Sequence, residues 1–88
     1  MKIVFDDGKD RSNFAKHGVS LSEANSFEWD ESVQRIDDRR DYGEERLIAI
    51  GYIANRLHCI VFTLRDEEVR VISLRKASTR EEKIYAQT

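Results

Sequence analysis

Three apolar runs crowd into the second half of the chain with almost nothing between them: Leu47–Ile53, Leu57–Leu64 and Val69–Leu74. A crossover between parallel strands takes a dozen or more residues. The connections here are too short for that, so the three runs predict an antiparallel meander. Ala54-Asn55 reads as a tight hairpin turn in which Asn55 takes positive φ. Asp66-Glu67-Glu68 reads as the second turn. The run over Leu57–Leu64 is nearly continuous, broken by His58, which suits a central strand covered on both faces. The run after it alternates, placing Val69, Val71 and Ser73 on one side and Arg70, Ile72 and Leu74 on the other.

The first half carries helix punctuation. Ile3–Phe5 reads as a strand. Asp7 is placed to cap a helix, with Asp10 three residues on, and Gly18 is the left-handed stop. Lys16 and His17 then lie in the last turn, where the helix dipole favours a cation. Ser20 and Glu23 read as a capping box, with Val19 and Ala24 as the hydrophobic staple, so a second helix follows at once. Trp29 ends it and packs beneath. Val33–Asp37 is a further strand, and Ser78 with Glu81 opens a terminal helix containing Ile84 and Tyr85. The order β-α-α-β-β-β-β-α makes an α+β two-layer domain with an antiparallel sheet. The early helices cover one face and leave the other to the terminal helix and a ligand. The 88 residues form a single domain, 1–88.

Between the two halves lies Asp37-Asp38-Arg39-Arg40-Asp41-Tyr42-Gly43-Glu44-Glu45-Arg46, ten residues with eight charges. It is too mixed in sign for a disordered tail and too polar for a core element. It is an exposed connection entering a strand, either a solvated loop or part of a working surface. Its carboxylates, Asp37, Asp38, Asp41, Glu44 and Glu45, have the chemistry to bind Mg²⁺. Arg39, Arg40 and Arg46 are interleaved with them and compete as partners, so no metal site is expected.

The net charge of −2 gives no support to nonspecific nucleic-acid binding, which leans on a basic surface. Any such contact needs a local cluster, and Arg65, Arg70, Arg75, Lys76, Arg80 and Lys83 supply one. The single cysteine, Cys59, lacks a disulfide partner and reads as a small core residue. The N-terminus has no signal-peptide core and no run reaches a membrane span, so a cytoplasmic protein is expected. There is no phosphate-binding glycine loop, no Cys/His metal set and no nucleophile elbow. His17 has a structural explanation at a helix end, and His58 sits inside a strand.

The remaining candidates are basic side chains at strand ends. Arg65 closes the central strand, Arg75 and Lys76 close the last, and Arg46 opens its own. A guanidinium is a planar fork matched to phosphate oxygens. A cluster of such forks can stabilise a phosphorane-like transition state without metal. Lys76 beside Arg75 is the candidate proton acceptor. Tyr42 and Tyr85 can stack on bases or donate to phosphate. The competing reading is that these are solvent-facing edge residues that discourage aggregation.

Asn13-x-x-Lys16-His17-Gly18-Val19 with Glu23-Ala24, then Asp38-x-Arg40-x-Tyr42-Gly43-Glu44-Glu45-Arg46, then Ile72-Ser73-x-Arg75-Lys76-Ala77, resembles the BrnT family. These are toxins of a type II toxin–antitoxin system, and the resemblance covers nearly the whole chain in order. It departs at Leu74, where the family often has a small residue. The resemblance implies a RelE-like fold and a metal-independent, cofactor-free endoribonuclease. It implies neutralisation by a cognate antitoxin, with operator DNA contacted only through that antitoxin. It implies catalytic roles for Arg65 and Arg75, with Lys76 nearby, and RNA-binding roles for Arg40, Tyr42, Arg46 and Tyr85. The alternative is a non-catalytic module that pairs with a DNA-binding antitoxin.

Overall fold

A computed structural model describes residues 1–88. It contains β1 (Lys2–Val4), α1 (Asp7–His17), two 3-10 helices (Leu21–Ser26 and Trp29–Glu31), β2 (Val33–Asp37), β3 (Arg46–Ile53), β4 (Arg56–Arg65), β5 (Glu68–Lys76) and α2 (Thr79–Ala86). The strands form one sheet in the order β1-β5-β4-β3-β2. The meander lies in its middle, and the near-continuous apolar run of β4 occupies the central position. The short β1 joins β5 in parallel at one edge, and the other pairs are antiparallel.

One face of the sheet carries the main core. Ala49, Ile53, Ile60, Phe62, Val69, Val71 and Leu74 meet Val19, Leu21, Ala24 and Phe27 from the first 3-10 helix and its flanks. Trp29 lies edge-on between Phe27 and Phe62, with ring centroids 4.8 and 5.0 Å away. Its indole N–H donates to the Ala24 carbonyl at 3.1 Å, so the ring is fixed in place.

Local chemistry departs from the sequence expectation in several places. Asp6, not Asp7, caps α1, accepting from Lys9 N–H at 2.9 Å. Gly18 stops that helix at φ 72°, as read. The second helix is 3-10, and Ser20 accepts from Ser22 N–H instead of forming a capping box. Asp10 is the outside anchor: its Oδ1 accepts from Ser20 Oγ at 3.1 Å and Leu21 N–H at 2.7 Å. In the β3–β4 turn the positive φ belongs to Ala54 (55°), not Asn55. The Ser78–Glu81 capping box on α2 forms in full.

The largest departure is in β5. Val61 pairs with Ser73, but Phe62 pairs with Val71, so Ile72 is an extra residue, a β-bulge. Strict alternation breaks there. Leu74 returns to the core side with Val69 and Val71, opposite to its predicted face. The same shift turns Arg75 to the second face and Lys76 to the helix-bearing one.

Candidate functional site

The second face of the sheet has no layer over it apart from α2. Its floor is apolar and buried: Ile48, Ile50, Leu57 and Cys59. Around that floor stand Arg35 from β2, Arg46 from β3, Arg65 from β4, and Arg70 and Arg75 from β5. In a chain of net charge −2, these arginines concentrate positive charge on one surface.

The loop between β2 and β3 builds one end of this face. Asp37, buried at the end of β2, is its anchor. Its Oδ1 accepts from Arg39 Nε at 2.7 Å, and its Oδ2 accepts from Arg39 Nη2 at 2.8 Å and the Tyr42 hydroxyl at 3.1 Å. The Arg39 hydrogen bonds hold the Asp37 carboxyl far below the usual carboxylate range, overcoming the opposing effect of burial. An acid so committed is a poor proton acceptor at neutral pH, and its role here is to fix the loop. The fixed Tyr42 ring then lies under two guanidinium groups. The Arg46 carbon is 4.1 Å from its centroid and the Arg40 carbon 5.5 Å. Arg39, Arg40, Tyr42 and Arg46 together line a shallow depression. Arg65 enters the same end, its Nη2 3.2 Å from Glu44 Oε1.

The other end is held by α2. Both Arg75 Nη atoms donate to Glu81 at 2.8 Å, a bidentate pair. The Arg75 hydrogen bonds draw the Glu81 carboxyl down to about 2. Cys59 lies beneath this pair, and burial pushes its thiol up to about 11, so it is an inert core residue at neutral pH. Tyr85 packs edge-on against Tyr52 at 5.5 Å and donates its hydroxyl to the Glu31 carbonyl at 2.9 Å. It therefore serves to pin α2.

The expected residues are thus divided. Arg40, Tyr42, Arg46 and Arg65 come together at the loop end. Arg75 pairs in register with Cys59, six residues back along β4 from Arg65, which is about 20 Å. Lys76 pairs with His58 and lines a depression on the opposite face with Phe14 and Val19. It is separated from Arg75 because adjacent strand residues point to opposite faces, and the bulge decides that Arg75 is the one that meets the open face. Arg35 and Arg70 join the face without having been singled out. For Arg70 the signal was its place in the C-terminal basic cluster; for Arg35 it was only its position in a short edge strand. No three His, Cys, Asp or Glu side chains converge on one point. No helix is long and apolar enough to cross a membrane.

Residues 5–81 match the family model described as the ribonuclease toxin BrnT of type II toxin–antitoxin systems. The crystal structure of the ribonuclease toxin BrnT from Brucella abortus superposes with a TM-score of 0.68 at 29% identity. The match covers 90% of this chain and 99% of that one. No curated protein sequence matches significantly. A family model spanning nearly the whole chain, and a solved structure alike from end to end, place this chain in the BrnT family of type II ribonuclease toxins.

Proposed function

We propose that this chain is an endoribonuclease that works without metal, cuts RNA on the open face of its sheet, and is neutralised by a cognate antitoxin in the cytoplasm. The observation that carries the reading is the gathering of Arg35, Arg46, Arg65, Arg70 and Arg75 on one face of a net-acidic chain. Membership in a family of ribonuclease toxins supplies the substrate class and the partner. The reaction is attack of a ribose 2′-hydroxyl on its neighbouring phosphorus, its proton passing to water, with departure of the 5′-oxygen of the next nucleotide, which takes a proton from water. Charge grows on the phosphate oxygens in the transition state, and fixed guanidinium forks stabilise it.

The scissile phosphate is assigned to the loop end, where Arg65 joins Arg40, Tyr42 and Arg46. Arg75 lies too far away to share that phosphate and meets the RNA further along, when Glu81 releases it. Lys76, on the other face, has no part in this centre. Two of the five loop acids with the chemistry to bind Mg²⁺ are engaged by arginines, Asp37 by Arg39 and Glu44 by Arg65.

Arg46→Ala is expected to lower kcat/KM for RNA cleavage by about a hundredfold, as for loss of one transition-state donor. Cleavage by the unaltered chain is expected to persist in EDTA. A pure sample that leaves RNA intact, or one silenced by EDTA, overturns the reading. Expression in cells separates it from a non-catalytic antitoxin-binding module. Growth arrest relieved by the neighbouring open reading frame supports the toxin, whereas complex formation without growth arrest supports the module.

A further inference from the structure

We propose that Arg46, Thr63 and Arg70 form a pocket for one phosphate group, with Thr63 as a positioning residue. The three lie in one row across the open face. Thr63 on β4 pairs with Arg70 on β5, and Arg46 on β3 stands one step beyond the Leu47–Phe62 pair, next to Thr63. Directly opposite side chains in such rows are about 5 Å apart at Cβ.

Thr63 is 2% exposed, and its hydroxyl has no hydrogen-bond partner. The buried Nε groups of Arg46 and Arg70 have none either. These are the only unpartnered buried side-chain polar atoms in the molecule, and all three fall in this row. Buried polar groups are nearly always paired, so three together call for one missing partner. Each Nε–H can only donate, and the hydroxyl has a proton to donate. The partner must therefore offer several acceptor oxygens in one place. A metal ion offers none. A carboxylate offers two oxygens and a single charge, whereas a phosphate group offers more oxygens and up to two charges, the better match to two arginines and a hydroxyl.

The local charge balance points the same way. Asp37 is the carboxylate of this row, paired with Arg46 in register, but its oxygens go to Arg39 and Tyr42. Neither Arg46 nor Arg70 has an ion-pair partner. Tyr42 occupies the face of the Arg46 guanidinium, at 4.1 Å. N–H bonds lie in the guanidinium plane, so the ring stacked on its face accepts none of them and the buried Nε–H stays unpartnered.

The pocket stands on this geometry, and only the naming of RNA as the phosphate's source rests on the proposed function. Orthophosphate titrated into the full chain is expected to shift the NMR signals of the Arg46 and Arg70 Nε–H groups. Thr63→Val removes the hydroxyl at constant shape. It is expected to weaken orthophosphate binding about tenfold while leaving Tm unchanged or higher, and Thr63→Ser is expected to restore binding. With a 2′-deoxy oligonucleotide, which lacks the attacking hydroxyl, Thr63→Val is expected to weaken binding without changing its salt dependence. Arg70→Gln is expected to lower the salt slope by about 0.7, the loss of one single-strand phosphate contact. Displacement of that oligonucleotide by orthophosphate assigns the pocket to a backbone phosphate; orthophosphate binding without displacement assigns it to the free ion. Unmoved Nε–H signals, or Thr63→Val binding orthophosphate as tightly as the unaltered chain, overturn the pocket. Orthophosphate binding by a chain that cuts no RNA upholds the pocket and rejects the proposed activity.

Discussion

A methyl group on Gly51 would come within 2.8 Å of Phe27 Cζ and 3.1 Å of Ser32 Cβ. This strand glycine is required because an aromatic ring lies against the backbone of β3. Gly51→Ala is expected to push Phe27 out of its edge contact with Trp29, costing about 1–3 kcal/mol of stability by chemical denaturation. Asn13 matters for a different reason. It is 6% exposed, and its Nδ2 donates to the Val19 carbonyl at 2.8 Å and the Leu74 carbonyl at 2.7 Å. Its Oδ1 accepts from Leu74 N–H at 3.2 Å. One amide thus completes the edge of β5 beyond the end of β1 and ties α1 to it. Asn13→Ala leaves those buried backbone groups unpaired, and a loss of about 2–3 kcal/mol is expected, lowering Tm by roughly 10–20 °C. In the sequence Asn13 opened a motif but carried no structural role, since its Leu74 partner lies sixty-one positions away.

The element that decides access to the open face is α2. Its first turn does two jobs with one carboxylate. Glu81 Oε1 accepts from Ser78 N–H at 2.8 Å while both of its oxygens hold Arg75. The Glu81 pKa is lower in the folded chain than its ordinary value of 4.5. Its stabilising contribution is therefore complete above that ordinary value and is lost as pH falls towards about 2. Acidification through this window is expected to undock α2 and release Arg75, at a cost on the order of 2 kcal/mol. The NMR signals of Tyr85 should report it, and Glu81→Gln should undock α2 at neutral pH as well. A Tyr85 environment that stays constant over this range would reject the coupling. The capping box was legible from residue spacing alone. The ion pair to Arg75 was not, because it depends on the face to which the bulge at Ile72 turns that arginine.

Across the whole molecule, the two faces of the sheet divide the work. The side bearing α1 and the 3-10 helices buries the large apolar core, and the other carries the arginines over a smaller apolar floor. A net charge of −2 hides this division, since composition averages over both faces. RNA affinity should still fall with salt, the slope of log affinity against log salt growing by about 0.7 in magnitude for each phosphate this face neutralises. A flat response would remove RNA from this face.

What the sequence by itself determined follows from local physics. The meander came from three apolar runs joined too closely for crossovers, and the central place of β4 came from its near-continuous apolarity. The Gly18 stop, the α2 cap and the loop cluster of Arg40, Tyr42 and Arg46 were legible because their parts are near neighbours in the chain. Tertiary structure alone decided what depended on strand register. One extra residue at Ile72 reversed the facing of everything after it, sending Leu74 into the core, Arg75 to the open face and Lys76 away from it. Register also set Arg46, Thr63 and Arg70 side by side from three separate strands. A side-chain period of two makes facing sensitive to a single inserted residue, and no local signal in Ser73-Leu74-Arg75 reveals that insertion.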